Sequence, residues 1–283
     1  MRRSSSYNTL SLSFPPFIGA IKWLVVINAA IYLLSLAGQL TVANFMAIRN
    51  AWLGLFPAWV LHGYVWQIVT YAFLHDGLWH VLFNMLMLWM FGAEFEMQWG
   101  SRRFLEFYFF CVIGAAVVTT AMAYSGFLLS PHSVTIGASG GVFGILLAYG
   151  MIYGDREIFM FLLPFRIRAK YMVGILIFIE LAMVLQGPSG VANIAHLGGA
   201  LFGFLYVKFM PRYGVVGGAS ERFFGLRNAY YRWKRRRAGR KFEVYMRKHD
   251  PSQYFDEYGN FRDPDKQAPP DKGNGEHRGP WVN

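Results

Sequence analysis

The stretch Thr135-Ile136-Gly137-Ala138-Ser139-Gly140-Gly141, running on into the apolar segment from Val142 to Tyr153, decides how the rest of the chain is read. Small residues make a turn, glycines back a single serine, and a hydrophobic helix begins. Gly137-x-Ser139-x-Gly141 fits the strand-turn-helix elbow of soluble α/β-hydrolases, with Ser133 to Ile136 as the strand. It fits equally a serine at the mouth of a membrane-buried helix. It also fits a plain helix start whose small residues permit close packing. The surroundings of the stretch discriminate among these readings.

Charged residues make up only 15% of the chain, with 55% hydrophobic and 18% aromatic, whereas globular domains carry roughly 25% charged residues. With a window of about 20 apolar residues per span, six candidate transmembrane helices emerge, near 17–38, 78–97, 103–124, 139–153, 169–186 and 193–210. A soluble hydrolase would have to bury all six runs in one small domain. The expected fold is therefore an all-α membrane protein: a six-helix bundle over 17–210, between an N-terminal tail (1–16) and a polar C-terminal tail (211–283). The single cysteine, Cys111, lies inside the third span and reads as a small core residue. The first apolar segment is span-length, so no cleavable signal peptide is expected.

The net charge of +11 looks like nucleic-acid chemistry until it is located, for 16 of the 27 Lys and Arg fall after residue 210. No nucleic-acid partner is implied. Basic residues also gather at Arg2 and Arg3, Arg102 and Arg103, and the loop 154–170, whereas the opposite connections hold only Arg49. This asymmetry puts both termini in the cytoplasm, most simply in a bacterial inner membrane. The first outer connection, 39–77, is rich in aromatic residues such as Trp52, Trp59 and Trp66 and is expected to lie half-embedded against the bundle. Loop 154–170, with Phe159 to Leu163 among its basic residues, reads as a segment on the inner interface. Segment 221–248, basic and aromatic, suits a helix on an anionic leaflet. The tail as a whole reads as largely disordered, most clearly from Pro251 onward.

Alternation of spans gives each polar residue a depth. The fourth span starts outside at Ser139 and the sixth near Asn193, so His196 lies about one turn in, roughly 5 Å, at a depth similar to the serine. Gly140 and Gly144 on the fourth span, and Gly199 and Gly203 on the sixth, form small-residue faces that let the two backbones approach closely. Ser139 and His196 can then meet as nucleophile and base. His80 and Asn84, one turn apart on the second span, lie at the same level and can join the backbone N–H groups at the start of the fourth helix as oxyanion donors. Glu94 and Glu96 lie 10 and 12 residues beyond Asn84, about 15 to 18 Å further along the helix. No acid from the region is thus expected to complete a triad. The pair is expected to work as a dyad, its imidazole held by packing against Phe143. Glu180, an acid inside the fifth span, is expected to face the bundle and be paired or neutral; the sequence gives it no role.

This constellation resembles the rhomboid family of intramembrane serine proteases. The features that carry the resemblance are His80-x-x-x-Asn84, Gly137-Ala138-Ser139-Gly140, Ala195-His196-x-x-Gly199-x-x-x-Gly203, and Gly92 to Ser101 with Glu96 and Gly100-Ser101, within about 60–210. The resemblance implies a rhomboid-like bundle, Ser139 as nucleophile, His196 as its base, and an oxyanion site from His80, Asn84 and the Ser139 amide. The implied substrates are transmembrane segments of other membrane proteins, with no cofactor and no metal. The turn Gly187-Pro188-Ser189-Gly190 would be a lid. Where the family often carries a Trp-Arg pair, this chain has Trp66-Gln67, and loss of the cation is expected to loosen the first loop. The competing function is a non-catalytic rhomboid-like binding or escort factor, expected to lack Ser or His. A metal-dependent protease or transporter using His75, His80 and His196 lacks a His-Glu-x-x-His pair. Oligomeric state is not legible.

Overall fold

The computed structural model of the chain describes residues 15–126, 129–159, 166–186, 191–209, 214–248, 250, 252 and 254–262. Proline-free apolar runs form the long helices. The first, α1 (Gly19–Thr41), leads into a connection of short helices, α2 (Phe45–Leu53), α3 (Pro57–Leu61) and α4 (Gln67–Thr70), closed by a 3-10 turn, Tyr71–Phe73. Then follow α5 (Leu78–Trp99), α6 (Ser101–Tyr124), α7 (Ser139–Ile152), α8 (Ala169–Leu185), α9 (Val191–Phe209) and α10 (Gly214–Lys248). The expected span limits fall within a turn of these helix ends. Among the described residues, α1, α5, α6 and α9 are long and apolar enough to cross a membrane. Helices α7 and α8 are shorter, at 14 and 17 residues.

The all-α expectation needs one correction, a two-stranded antiparallel hairpin of β1 (Glu157–Phe159) and β2 (Arg166–Arg168) in the loop read as an interfacial segment. Its strands pair Glu157 with Arg168, and Asp155 beside it takes Lys170 Nζ at 2.6 Å. That hydrogen bond and charge hold the Asp155 carboxyl below its ordinary range.

The connection from α1 to α5 is tightly built, against the expectation that Gln67 would loosen it. Gln67 is wholly buried. Its amide nitrogen donates to the carbonyls of Ala51 (3.0 Å) and Trp52 (3.4 Å), and its oxygen accepts from the Phe56 N–H (3.1 Å). An amide both donates and accepts, so it replaces a cation that can only donate. Buried Arg49 adds bonds to the His75 carbonyl (3.3 Å) and Asp76 (3.0 Å). The same connection braces the chain ahead of α7: Leu55 and Thr135 exchange backbone hydrogen bonds, and the Gly137 N–H donates to the Tyr71 carbonyl.

Helices α6, α7 and α9 form the heart of the bundle, with Phe107, Tyr108, Cys111 and Ala115 of α6 fully buried. At the end of the bundle remote from Ser139, the buried Glu96 accepts the N–H groups of Ala20 (2.5 Å) and Ile21 (3.0 Å) and the Ser101 hydroxyl. A carboxylate at a helix N-terminus satisfies donors that have no acceptor within the helix, so Glu96 fixes where α1 starts.

The residues from Ala219 onward form a separate unit. In the tail expected to be largely disordered, the segment 221–248 read as a helix lies within a 35-residue helix, α10. Lys, Arg, Ala and Glu are good helix formers without any core to bury, and Glu243 pairs with Arg247 one turn on at 3.2 Å. Tyr230, Tyr231 and Trp233 are exposed on it. The N-terminal residues 1–14, the turn Gly187 to Gly190, residues 160–165 and the tail from 263 lie outside the described residues, and with them the expected lid, the middle of the segment read as interfacial and most of the segment from Pro251 read as disordered.

Candidate active site

Ser139 is the first residue of α7. The stretch Ser133 to Ile136 makes only the single bridge of Thr135 to Leu55 rather than a strand in a sheet, so the soluble-hydrolase elbow is absent. Gly137 has φ +115°, and a Cβ there would come within 2.7 Å of His80 Nε2. Backbone conformation and space both require glycine at this position. The first intrahelical bond runs from the Val142 N–H to the Ala138 carbonyl at 3.1 Å, which leaves the N–H groups of the first turn without acceptors in the helix.

Helix α9 brings His196 to the serine. Ser139 Oγ and His196 Nε2 are 2.7 Å apart, at hydrogen-bond distance. The approach depends on the glycine faces. A Cβ on Gly203 would sit 2.5 Å from the Gly144 carbonyl oxygen, one on Gly144 would sit 2.9 Å from the Gly199 carbonyl oxygen, and one on Gly199 would run into the Gly140 carbonyl. Phe143, one turn into α7, stacks on the imidazole with ring centroids 4.3 Å apart and planes 8° from parallel.

His80 and Asn84 line the same cleft as Ser139 and His196, a cavity of about 460 Å³ between α5, α7, α8 and α9. One amide N–H of Asn84 is held by the His80 carbonyl at 2.9 Å. The rings of His80 and His75 meet edge to face at 4.9 Å. Burial, with His80 and Arg49 adding to it, pushes His75 down to about 3, so that ring is neutral near pH 7. Among the described residues, no group of three or more His, Cys, Asp and Glu is gathered as metal ligands would be.

One neighbour corrects the sequence reading. Glu180 of α8 puts Oε2 2.9 Å from His196 Nδ1, and the same oxygen accepts from Asn193 Nδ2 at 2.6 Å. An acid does therefore reach the histidine, from near the C-terminal end of α8 rather than from the helix that carries Asn84. The Nδ1–H is not aligned closely enough with the carboxylate for a linear hydrogen bond.

Residues 62–213 match the Rhomboid domain. This chain belongs to the rhomboid family. Its similarity to other rhomboids is spread over bacteria, plants and mitochondria. The Rhomboid protease AarA of Providencia stuartii is 30% identical over 198 residues, 64% of this chain and 69% of that protein. The Rhomboid protease GluP of Bacillus subtilis (strain 168) is 32% identical over 163 residues, 56% of this chain and 29% of that protein. RHOMBOID-like protein 1 of Arabidopsis thaliana is 31% identical over 160 residues, 53% of this chain and 36% of that protein. The chain thus spans about a third of the length of the latter two relatives. The rhomboid domain takes in His80, Asn84, Ser139, Glu180 and His196, and with its apolar helices it fits a multi-pass membrane protein.

Proposed function

We propose that this rhomboid is an intramembrane serine protease that cleaves transmembrane segments of other membrane proteins. The observation that carries the reading is the 2.7 Å approach of Ser139 Oγ to His196 Nε2 at the mouth of an apolar cleft. A hydroxyl is a weak nucleophile until a base takes its proton. In the proposed reaction, Oγ bonds to the scissile carbonyl carbon while its proton passes to Nε2. The proton then goes to the leaving amine as the C–N bond breaks, and water repeats the sequence on the acyl-enzyme. Charge on the tetrahedral oxygen meets the Ser139 amide, the second N–H of Asn84 and His80, donors held in place before reaction.

The proposed setting is a six-span bundle over 17–210 with both termini in the cytoplasm and the serine near the outer face. The 14 residues of α7 reach only about 21 Å, less than the hydrocarbon core of about 30 Å. A short serine-bearing helix leaves its first residue below the membrane surface, where a substrate helix can be met and water admitted. The tail 211–283 plays no part in the chemistry.

The test is cleavage of a model transmembrane substrate with small residues near its outer end, together with labelling by a fluorophosphonate. Wild type is expected to do both, Ser139→Ala neither, and His196→Ala almost neither, since residues acting as one unit lose most function when either is removed. Equal cleavage by wild type and Ser139→Ala sinks the protease reading. Binding of a substrate panel without cleavage, alike in wild type and Ser139→Ala, puts the escort function in its place.

A further inference from the structure

Glu180 is half-buried on a helix whose other residues from Met172 to Leu185 are all apolar or glycine, where an acid is unfavourable unless the fold gives it partners. Its two partners come from successive turns of α9, Asn193 and His196, and both reach the same oxygen, Oε2. We infer that Glu180 is a positioning residue for catalysis, holding His196 with its proton on Nδ1 and stabilising the imidazolium formed when Ser139 attacks. The inference rests on the serine-protease reading above and adds a third member to its pair.

Which nitrogen of His196 carries the proton decides whether the ring can act as a base toward Ser139. To take the Ser139 proton, Nε2 must present a lone pair, so the single proton of the neutral ring must sit on Nδ1. Phe143 fixes the plane of the ring by stacking, but an aromatic face does not distinguish the tautomers. A carboxylate does, because it only accepts, and it lies on the Nδ1 side. At 2.9 Å, Oε2 is within hydrogen-bonding distance of Nδ1. The carboxylate also changes what proton transfer does to the site. Without it, the transfer creates a cation in an apolar cleft; with it, the new cation stands beside a fixed negative charge. The Asn193 amide keeps Oε2 in place meanwhile. Protons balance without Glu180 ever being protonated: Nδ1 keeps its proton throughout, and only Nε2 gains one from Ser139 and returns it to the leaving amine.

The experiment uses the full chain and the substrate above, with Ser139→Ala as the inactive reference. Glu180→Gln keeps the size and one acceptor oxygen while removing the charge. Its kcat is expected to fall roughly 100- to 10,000-fold, the upper end approaching what is lost with the acids of other triads, with KM unchanged and fluorophosphonate labelling of Ser139 slowed in parallel. Glu180→Asp should retain more activity than Glu180→Gln. Added formate should raise the activity of Glu180→Ala and leave Ser139→Ala inactive, a response that lost packing cannot give. If Glu180→Gln cleaves at the wild-type kcat while Ser139→Ala is inactive, the inference fails and the protease reading stands. A loss in Glu180→Gln that vanishes when activity is expressed per folded molecule overturns it equally. If Ser139→Ala matches wild type, both fall together.

Discussion

Asn84 shows how a polar residue in the cleft divides its bonds between fold and chemistry. One amide N–H is held by the His80 carbonyl one turn back; an amide has two, and the second is left for a developing oxyanion. Asn84→Ala is therefore expected to lower kcat by about 10- to 1,000-fold, the range reaching that of other oxyanion donors, with little change in Tm. A large fall in Tm with full activity per folded molecule would make Asn84 structural. The serine, the histidine and the stacked phenylalanine are legible because alternating spans give each a depth. Glu180 is equally legible by that rule, though only from the other end of its helix. It stands five residues before Leu185, the last residue of α8, and His196 stands five residues after Val191, the first residue of α9, each about 7.5 Å from its helix end. A search for an acid confined to the helix bearing Asn84 cannot find it. Gln67 misleads for a different reason: charge is the wrong measure of a residue whose loop uses its capacity to donate and accept at once.

At the scale of elements, the site depends on α7 and α9 lying closer than side chains ordinarily allow. The atom facing Gly199 is the Gly140 carbonyl oxygen, part of the backbone, and it cannot swing aside as a side chain would. Gly199→Ala is expected to destabilise the bundle by about 1–3 kcal/mol, as overpacked cores do, and to slow fluorophosphonate labelling by separating Ser139 from His196. Gly174→Ala on α8 is the control, since a Cβ there meets nothing within 4 Å; helix propensity alone makes it neutral or slightly stabilising. If the two variants are equally stable and equally reactive, close backbone approach is not what assembles the site. Apolar runs and small-residue spacing make these helices readable from the sequence alone. The β1–β2 hairpin is not, because strands of three residues are too short to show a period of two. The reach of Glu96 to the start of α1 also escapes pattern reading, since the two ends are joined only in space.

For the whole molecule, composition is enough to place the chain in a membrane, and in the tail the basic, aromatic segment 221–248 that reads as a helix lies within α10, which starts earlier, at Gly214. Charge says more about orientation than about folding. Basic residues cluster in segments that alternate with nearly uncharged ones, and cytoplasmic loops retain Lys and Arg. Arg49, the one Lys or Arg between α1 and α5, is buried against Asp76 and the His75 carbonyl, so its charge serves the loop and does not argue for a cytoplasmic location. The orientation is tested with single cysteines in a Cys111→Ala background, which removes a buried thiol. A cysteine at exposed Ser252 is expected to react with an impermeant maleimide only after permeabilisation. One at Ser133, in the segment braced against Leu55 and Ala58, is expected to react in intact cells. Both sites face water under this topology, so a difference between them reports sidedness rather than burial. Labelling of Ser252 in intact cells, with Ser133 protected, would invert the bundle and put the serine near the cytoplasmic face, and substrates would then have to be sought among segments that present their cytoplasmic ends.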